Sequence, residues 1–236
     1  MPTPAKSHFM RVTAAQASAS AAAGEPLENA TSYELMLAKL AADKRRLKDV
    51  QSMERKAEVK REILPEYAPY IEGVLSANSG VQDNVLMTVM VWSIDAGDFD
   101  CAFVLARYAI THNLKLPDQY QRSTATLIAE EFADAAKRAR DGGATLDAAG
   151  LLAIEELTRD QDMPDEVRAK LHKELGLAYA LQTDDGAPVG TDAARKQAAL
   201  DQLKRAMQLN DKSGVKKDIE KLERELKNLA AANGAG

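Results

Sequence analysis

Apolar residues recur along most of this chain at three- and four-residue intervals, the spacing of one face of a helix. The pattern is longest from Thr31 or Ser32, either of which can cap a helix, to about Leu64, where Pro65 stops propagation. Within that stretch Met36, Leu40, Leu47, Val50, Ala57 and Leu64 fall on one broad face. Lys44, Arg45, Lys48, Arg55 and Lys56 fall roughly opposite, with Asp49 among them, while Glu54, Glu58 and Glu62 form a ladder beside the apolar seam. One long basic amphipathic helix over 31–64 is the expectation.

Shorter helices are expected over 65–77, 81–96 with its apolar run VLMTVMVW, 99–112, 123–140 before Gly142-Gly143, and 146–158. In the last third, Asp162 can cap a helix that carries Pro164 in its first turn, where the missing N–H costs nothing. Helices over 164–181, 192–210 and 214–231 follow, with the turn-rich TDDGAPVGT between the first two. Residues 11–30 are Ala/Ser-rich and offer little large apolar surface to offset the entropy of ordering, so residues 1–30 read as a flexible arm with Lys6, His8 and Arg11 near its tip. The fold class is all-α, with the long basic helix, a central helical bundle and C-terminal antiparallel hairpins. The segments are an arm over 1–30, a helical region over 31–160 that contains the long basic helix, and a C-terminal helical region over 161–236 ending in a short disordered tail.

The C-terminal hairpins carry a weak tetratricopeptide-like pattern of small and aromatic residues: Leu175, Gly176 and Tyr179, then Ala199, Leu203 and Ala206. A partial second copy is Gly97, Phe99, Ala102, Ala106 and Ala109. The last helix has a 4-3-4-3 seam of Val215, Ile219, Leu222, Leu226 and Leu229, too short for an isolated coiled coil and suited to covering the preceding hairpin or a partner helix.

Charge changes the picture at one place. Residues 39–62 hold nine Lys/Arg against five acids, a net of +4 in a chain of net −5. A basic segment in an otherwise acidic chain points to contact with a polyanion there. Lys44, Arg45, Lys48, Arg55, Lys56 and Lys60 are the candidate DNA-binding residues, positioned to neutralise phosphates. An exposed face without a ligand, or an oligomer seam flanked by charges, would show the same composition.

Other chemistry is sparse. The single cysteine, Cys101, allows no internal disulfide and sits on an apolar helix, as a buried thiol would. No apolar run approaches a membrane span, and the N-terminus lacks the order of a signal peptide. RDGGATLD and DDGAPVGT lack the lysine and the strand-to-helix setting of a phosphate-binding loop. His8, His112 and His172 are scattered and no CxxC occurs, so no zinc site is expected. Asp95, Asp98 and Asp100 are the densest acids for a two-metal nuclease, and Pro164, Asp165, Glu166 and Lys170 superficially match the PD…(D/E)xK nuclease pattern. The first group falls in a helix–helix turn and the second at a helix start, where such residues are ordinary. Met87, Met90 and Trp92 sit at helical spacing, as core residues do. The expectation is therefore no catalytic residue, no metal and no cofactor.

The ordered set of short motifs resembles a known family. PAxxHxMRVxAA (Pro4 to Ala15), YELMLAKLAAD with its basic continuation, LMTVMVW, ARYAITHNL, MPDEVRAKLHK and GVKKDIEKLEREL are similar to the small terminase subunit of cos-packaging temperate tailed phages of the Peduovirus type. That resemblance implies a packaging protein in the cytoplasm of an infected bacterium. It implies that the chain binds the cos site of double-stranded concatemeric DNA, forms a homo-oligomer and recruits a large subunit carrying the ATPase and nuclease. It also implies the label of endonuclease subunit, which the residues themselves do not support with a catalytic site. Some relatives continue into a Lys/Arg/Pro-rich tail where this chain ends in LAAANGAG, so no second DNA handle is expected there. The alternatives are a metal-dependent endonuclease in its own right and a tetratricopeptide-like scaffold that does not touch DNA.

Overall fold

The computed structural model describes residues 3–21, 31–117, 122–144, 147–182 and 191–233. Residues 22–30 of the expected arm, most of the TDDGAPVGT loop and the end of the expected tail lie outside them. Among the described residues there are eleven α-helices, two more than the periodicity predicts, and no β-strand, in keeping with the all-α expectation. The chain divides into two compact units, Met1–Thr124 and Ala125–Gly236. The division falls well before the expected boundary at 160.

The first unit contains α1 (Pro4–Ser20), α2 (Thr31–Lys48), α3 (Met53–Ile63), a single 3-10 turn at Leu64–Glu66, α4 (Ala68–Ala77), α5 (Asn84–Ala96) and α6 (Phe99–Thr111). α5 is its centre. Eleven of its thirteen residues are buried, because VLMTVMVW presents apolar side chains on every face. Asp83 starts α5 by accepting from the Val85 and Leu86 amides at 2.8 and 2.9 Å, and the Tyr70 hydroxyl donates to its other oxygen at 2.6 Å. A fully buried carboxylate is tolerable only with such a complete set of donors. Gly97, at φ 80°, ends α5 in the left-handed region, and Asp98 caps α6 through the Cys101 amide.

Two expectations for this unit are overturned. Residues 4–20 are helical, not a flexible arm: Thr3 caps, Pro4 occupies the first turn, and α1 buries Met10, Ala14 and Ser18. α1 needs no large side chains because α4 brings a glycine to it. A Cβ on Gly73 would lie 2.8 Å from the Ala14 Cβ and would also meet the Arg11 carbonyl oxygen. The Ser18 hydroxyl hydrogen-bonds the Ser79 hydroxyl at 2.7 Å in the same seam. The long basic helix is also two helices. α2 ends at Lys48, and Ser52 restarts the chain as α3 by accepting from the Arg55 amide at 3.2 Å.

The second unit holds α7 (Thr124–Asp141), which begins at the boundary, α8 (Ala148–Thr158), α9 (Asp165–Leu181), α10 (Thr191–Leu209) and α11 (Lys216–Asn233). The expected Asp162 cap is not used: α9 has Pro164 at its cap position, without a side-chain hydrogen bond. α9 and α10 form the tightest pair. A Cβ on Gly176 would lie 2.7 Å from Leu203 Cδ2 and 3.0 Å from the Ala199 carbonyl oxygen. His172, one turn earlier on α9, meets Gln202, so the two helices run antiparallel. Leu200, Val215, Ile219 and Leu222 close a small apolar cluster over this pair, with Leu226 packed at its edge. α11 thus covers its own hairpin. Arg140 forks onto Glu174 at 3.1 and 3.2 Å, tying α7 to α9.

Candidate nucleic-acid interface

α2 and α3 lie on the first unit with opposite fates for their two faces. Met36, Leu40 and Leu47 of α2 and Val59 and Ile63 of α3 are buried. Val50, Ala57 and Leu64, expected on the same seam, are half-buried, because the break at Ser52 rephases α3 relative to α2.

The nine cations of 39–62 sort into two groups. Several are committed to the fold. Lys39 bridges Asp43 and Glu66 at 2.9 and 3.0 Å. Burial opposes its charge, but the hydrogen bonds it donates to these two carboxylates outweigh burial and hold its pKa above the ordinary lysine value. Arg46 meets Glu62 at 2.6 Å, and Arg61 donates to the Ala96 carbonyl at 2.8 Å. Lys60 is buried and ion-paired with Asp95, so its ammonium fastens α3 to the end of α5 and does not face solvent. Arg55 is exposed but meets Glu58 at 2.6 Å and Glu62 at 4.0 Å, and the Glu58 hydrogen bond raises its pKa.

The second group is Lys44, Arg45, Lys48 and Lys56. None has a carboxylate within ion-pair distance among the described residues. Arg45 and Lys48 are exposed; Lys44 and Lys56 are half-buried. Partial burial lowers the Lys44 pKa, the behaviour of an ammonium held near the surface without a counter-charge. Asp49 and Glu54 are exposed close by in sequence. Among the described residues four of the six candidate cations therefore have no carboxylate partner, while Arg55 is occupied and Lys60 is withdrawn. Lys60's role was not visible in sequence, since its partner stands 35 residues away in the next hairpin.

The acids tested for metal chemistry have other positions. Asp95 holds Lys60 and Asp98 caps α6. Asp165 and Glu166 occupy the first turn of α9, and Lys170 meets Asp134 at 2.7 Å. Among the described residues no group of three His, Cys, Asp or Glu side chains is placed to hold a metal ion. Cys101 is half-buried, and burial raises its thiol pKa. No helix among the described residues is long and apolar enough to cross a membrane.

The family model described as phage small terminase subunit matches residues 37–166, the segment that begins two residues before the basic run. The chain is 48% identical over 227 residues to the "Terminase, endonuclease subunit" of Escherichia phage P2, covering 96% of this chain and 87% of that protein. It is 27% identical over 179 residues to the "Probable terminase, endonuclease subunit" of Haemophilus phage HP1, covering 74% and 63%. No solved structure matches. The chain belongs to the phage small terminase subunit family.

Proposed function

We propose that this subunit is the DNA-holding adaptor of a packaging complex in the cytoplasm of the infected host. It grips double-stranded DNA at the cos site, acts as a homo-oligomer and delivers the DNA to a large subunit that performs ATP hydrolysis and cutting. The observation that carries this reading is the set of cations without carboxylate partners among the described residues, Lys44, Arg45, Lys48 and Lys56, on helices whose other cations are paired or hydrogen-bonded. Phosphate contacts of this kind supply affinity and position without reading sequence; selection of cos needs base contacts or DNA shape in addition. The word endonuclease in the relatives' names is read here as cutting by the complex that the subunit directs.

The test is retention of cos DNA over a salt series by Arg45→Glu, Lys48→Glu and Lys56→Glu, singly and together. Each lost phosphate contact is expected to flatten the dependence of log affinity on log salt by about 1. Unchanged retention and slope in the triple variant would overturn the reading. Cutting of cos DNA by the purified subunit alone with Mg²⁺ or Mn²⁺ would overturn its adaptor part.

A further inference from the structure

The first unit carries a cavity of about 510 Å³ between the 3-10 turn and α4 on one side and α5 and α6 on the other. Its walls are mainly apolar: Leu64, Ile71, Leu75, Val89, Val104 and Leu105. A second cavity of about 310 Å³ shares Leu75 and Val104 with it and continues towards Arg107 and His112, so the two form one groove over α4 and α6. α6, with 13 residues, gives that groove a length of about 20 Å. Its rim carries Glu72, Asp98 and Asp100 together with Arg61, whose guanidinium is engaged by the Ala96 carbonyl at 2.8 Å, so acids outnumber cations there by three to one. Glu72 meets Arg11 of its own chain at 3.4 Å, while Asp98 and Asp100 have no cation within ion-pair distance among the described residues.

α1 carries the complement. Ala5, Phe9, Val12 and Gln16 lie at i, i+4, i+7 and i+11, a single stripe directly opposite the buried Met10, Ala14 and Ser18. Phe9 is 57% exposed and Val12 37%. The stripe runs for about 16 Å, close to the length of the groove. Its flanks are Lys6 and His8, and residues 3–21 contain no acid. This stripe cannot fill the groove of its own chain, because α1 packs on α4 through the opposite face.

We propose that the groove over α4 and α6 receives the Phe9–Val12 face of α1 from a second copy of this chain, with Lys6 and His8 of that copy beside Asp98 and Asp100. The exposed Leu35 and Met53 compete less well as occupants, since α2 and α3 are given to DNA in the reading above. The contact joins two different patches, so each copy that docks its α1 leaves its own groove open for the next. Such heterologous contacts propagate into a ring when the rotation closes. The inference rests on the homo-oligomer part of the proposed function and locates its interface.

Cys101, the single thiol of the chain, lines the groove and reports its occupancy. Maleimide labelling of the full-length protein should slow several-fold as its concentration rises and the particle mass increases in sedimentation. Phe9→Asp should lower the mass and keep Cys101 reactive at every concentration, with the fold intact because Phe9 is exposed. Val12→Cys on the natural background, oxidised with diamide, should give covalent trimers and higher species, whereas each single-thiol chain should not. A large particle whose Cys101 labels at the free rate would overturn the groove and leave the oligomer standing. A monomer at all concentrations would overturn both. Protection of Cys101 only on adding the large subunit would overturn this inference in favour of that partner.

Discussion

The Tyr67 hydroxyl donates to the Asp43 carboxylate at 2.7 Å, and the Lys39 ammonium stands 2.9 Å from the same carboxylate oxygen and 4.9 Å from the centre of the Tyr67 ring. Tyr67 is fully buried. Its phenol is held above the ordinary tyrosine pKa by burial first and by Asp43 second. This triad joins the basic helix α2 to the start of α4 through a charge that is neutralised inside the molecule. Tyr67→Phe keeps the packing and the edge-on contact with Trp92 but removes one donor from Asp43. Chemical denaturation is expected to show a loss of about 1–3 kcal/mol, with DNA retention per folded molecule unchanged.

Lys60 and its neighbours in the basic run should separate cleanly by phenotype. Its buried pair with Asp95 leaves only 11% of the lysine side chain and 24% of the aspartate exposed. Lys60→Ala strands a half-buried carboxylate and is expected to cost about 1–3 kcal/mol, read as a lower denaturation midpoint. Lys48→Ala, at an exposed position with no partner among the described residues, should stay within about 0.5 kcal/mol of the parent and show itself only in DNA retention.

Gly73→Ala should release α1. The added methyl meets backbone at Arg11 and the Ala14 Cβ, neither of which can rotate aside. A cost of about 1–3 kcal/mol is expected, concentrated in one element. Amide exchange over residues 4–20 should become fast while α5 stays protected. Equal loss of protection in both helices would contradict the described seam.

His172 makes the second unit sensitive to acid. Burial lowers its pKa below the ordinary 6.5, against the hydrogen bond that the imidazole Nδ1 donates to the Gln202 Oε1 and the charge of Glu155, with Arg205 and Arg168 adding to the lowering. The unfolded chain therefore binds this proton more readily than the fold does. The contribution is present above about pH 6.5 and is lost as pH falls through the lower folded value. Denaturation of the full chain between pH 7.5 and about 5 should show stability falling with pH, and His172→Gln should flatten that slope.

Most helices were legible from their apolar periodicity, and the structure adds the local caps that start them. Asp83, Asp98 and Asp147 are caps followed by apolar periodicity, and α5, α6 and α8 begin directly after them. The break after α2 was also local, in the side chain of Ser52, but the continuing run of charges on both sides hid it. α1 escaped because its burial is achieved by closeness: Ala14 and Ser18 are small, and their partners Gly73 and Ser79 lie about sixty residues on. The candidate interface was half legible. Net charge located the segment, yet which cations remain available depends on Glu58, Glu62, Glu66 and Asp95, set by the break at Ser52 and by tertiary pairing.

The burial of the Lys60–Asp95 pair also settles how the molecule should behave when ions are added. At about 1 M salt the screening length is about 3 Å, short enough to dissolve attractions between solvent-exposed charges. The pairs at Arg46–Glu62 and Arg55–Glu58 are about half exposed and will weaken, as will any grip on a phosphate. The pair that anchors α3 is much less exposed and the Asp83 cap is fully buried, so both are screened far less by those ions. Under the proposed function, a strong brine should therefore strip this protein from DNA while leaving its helices in place, so that dilution alone restores binding.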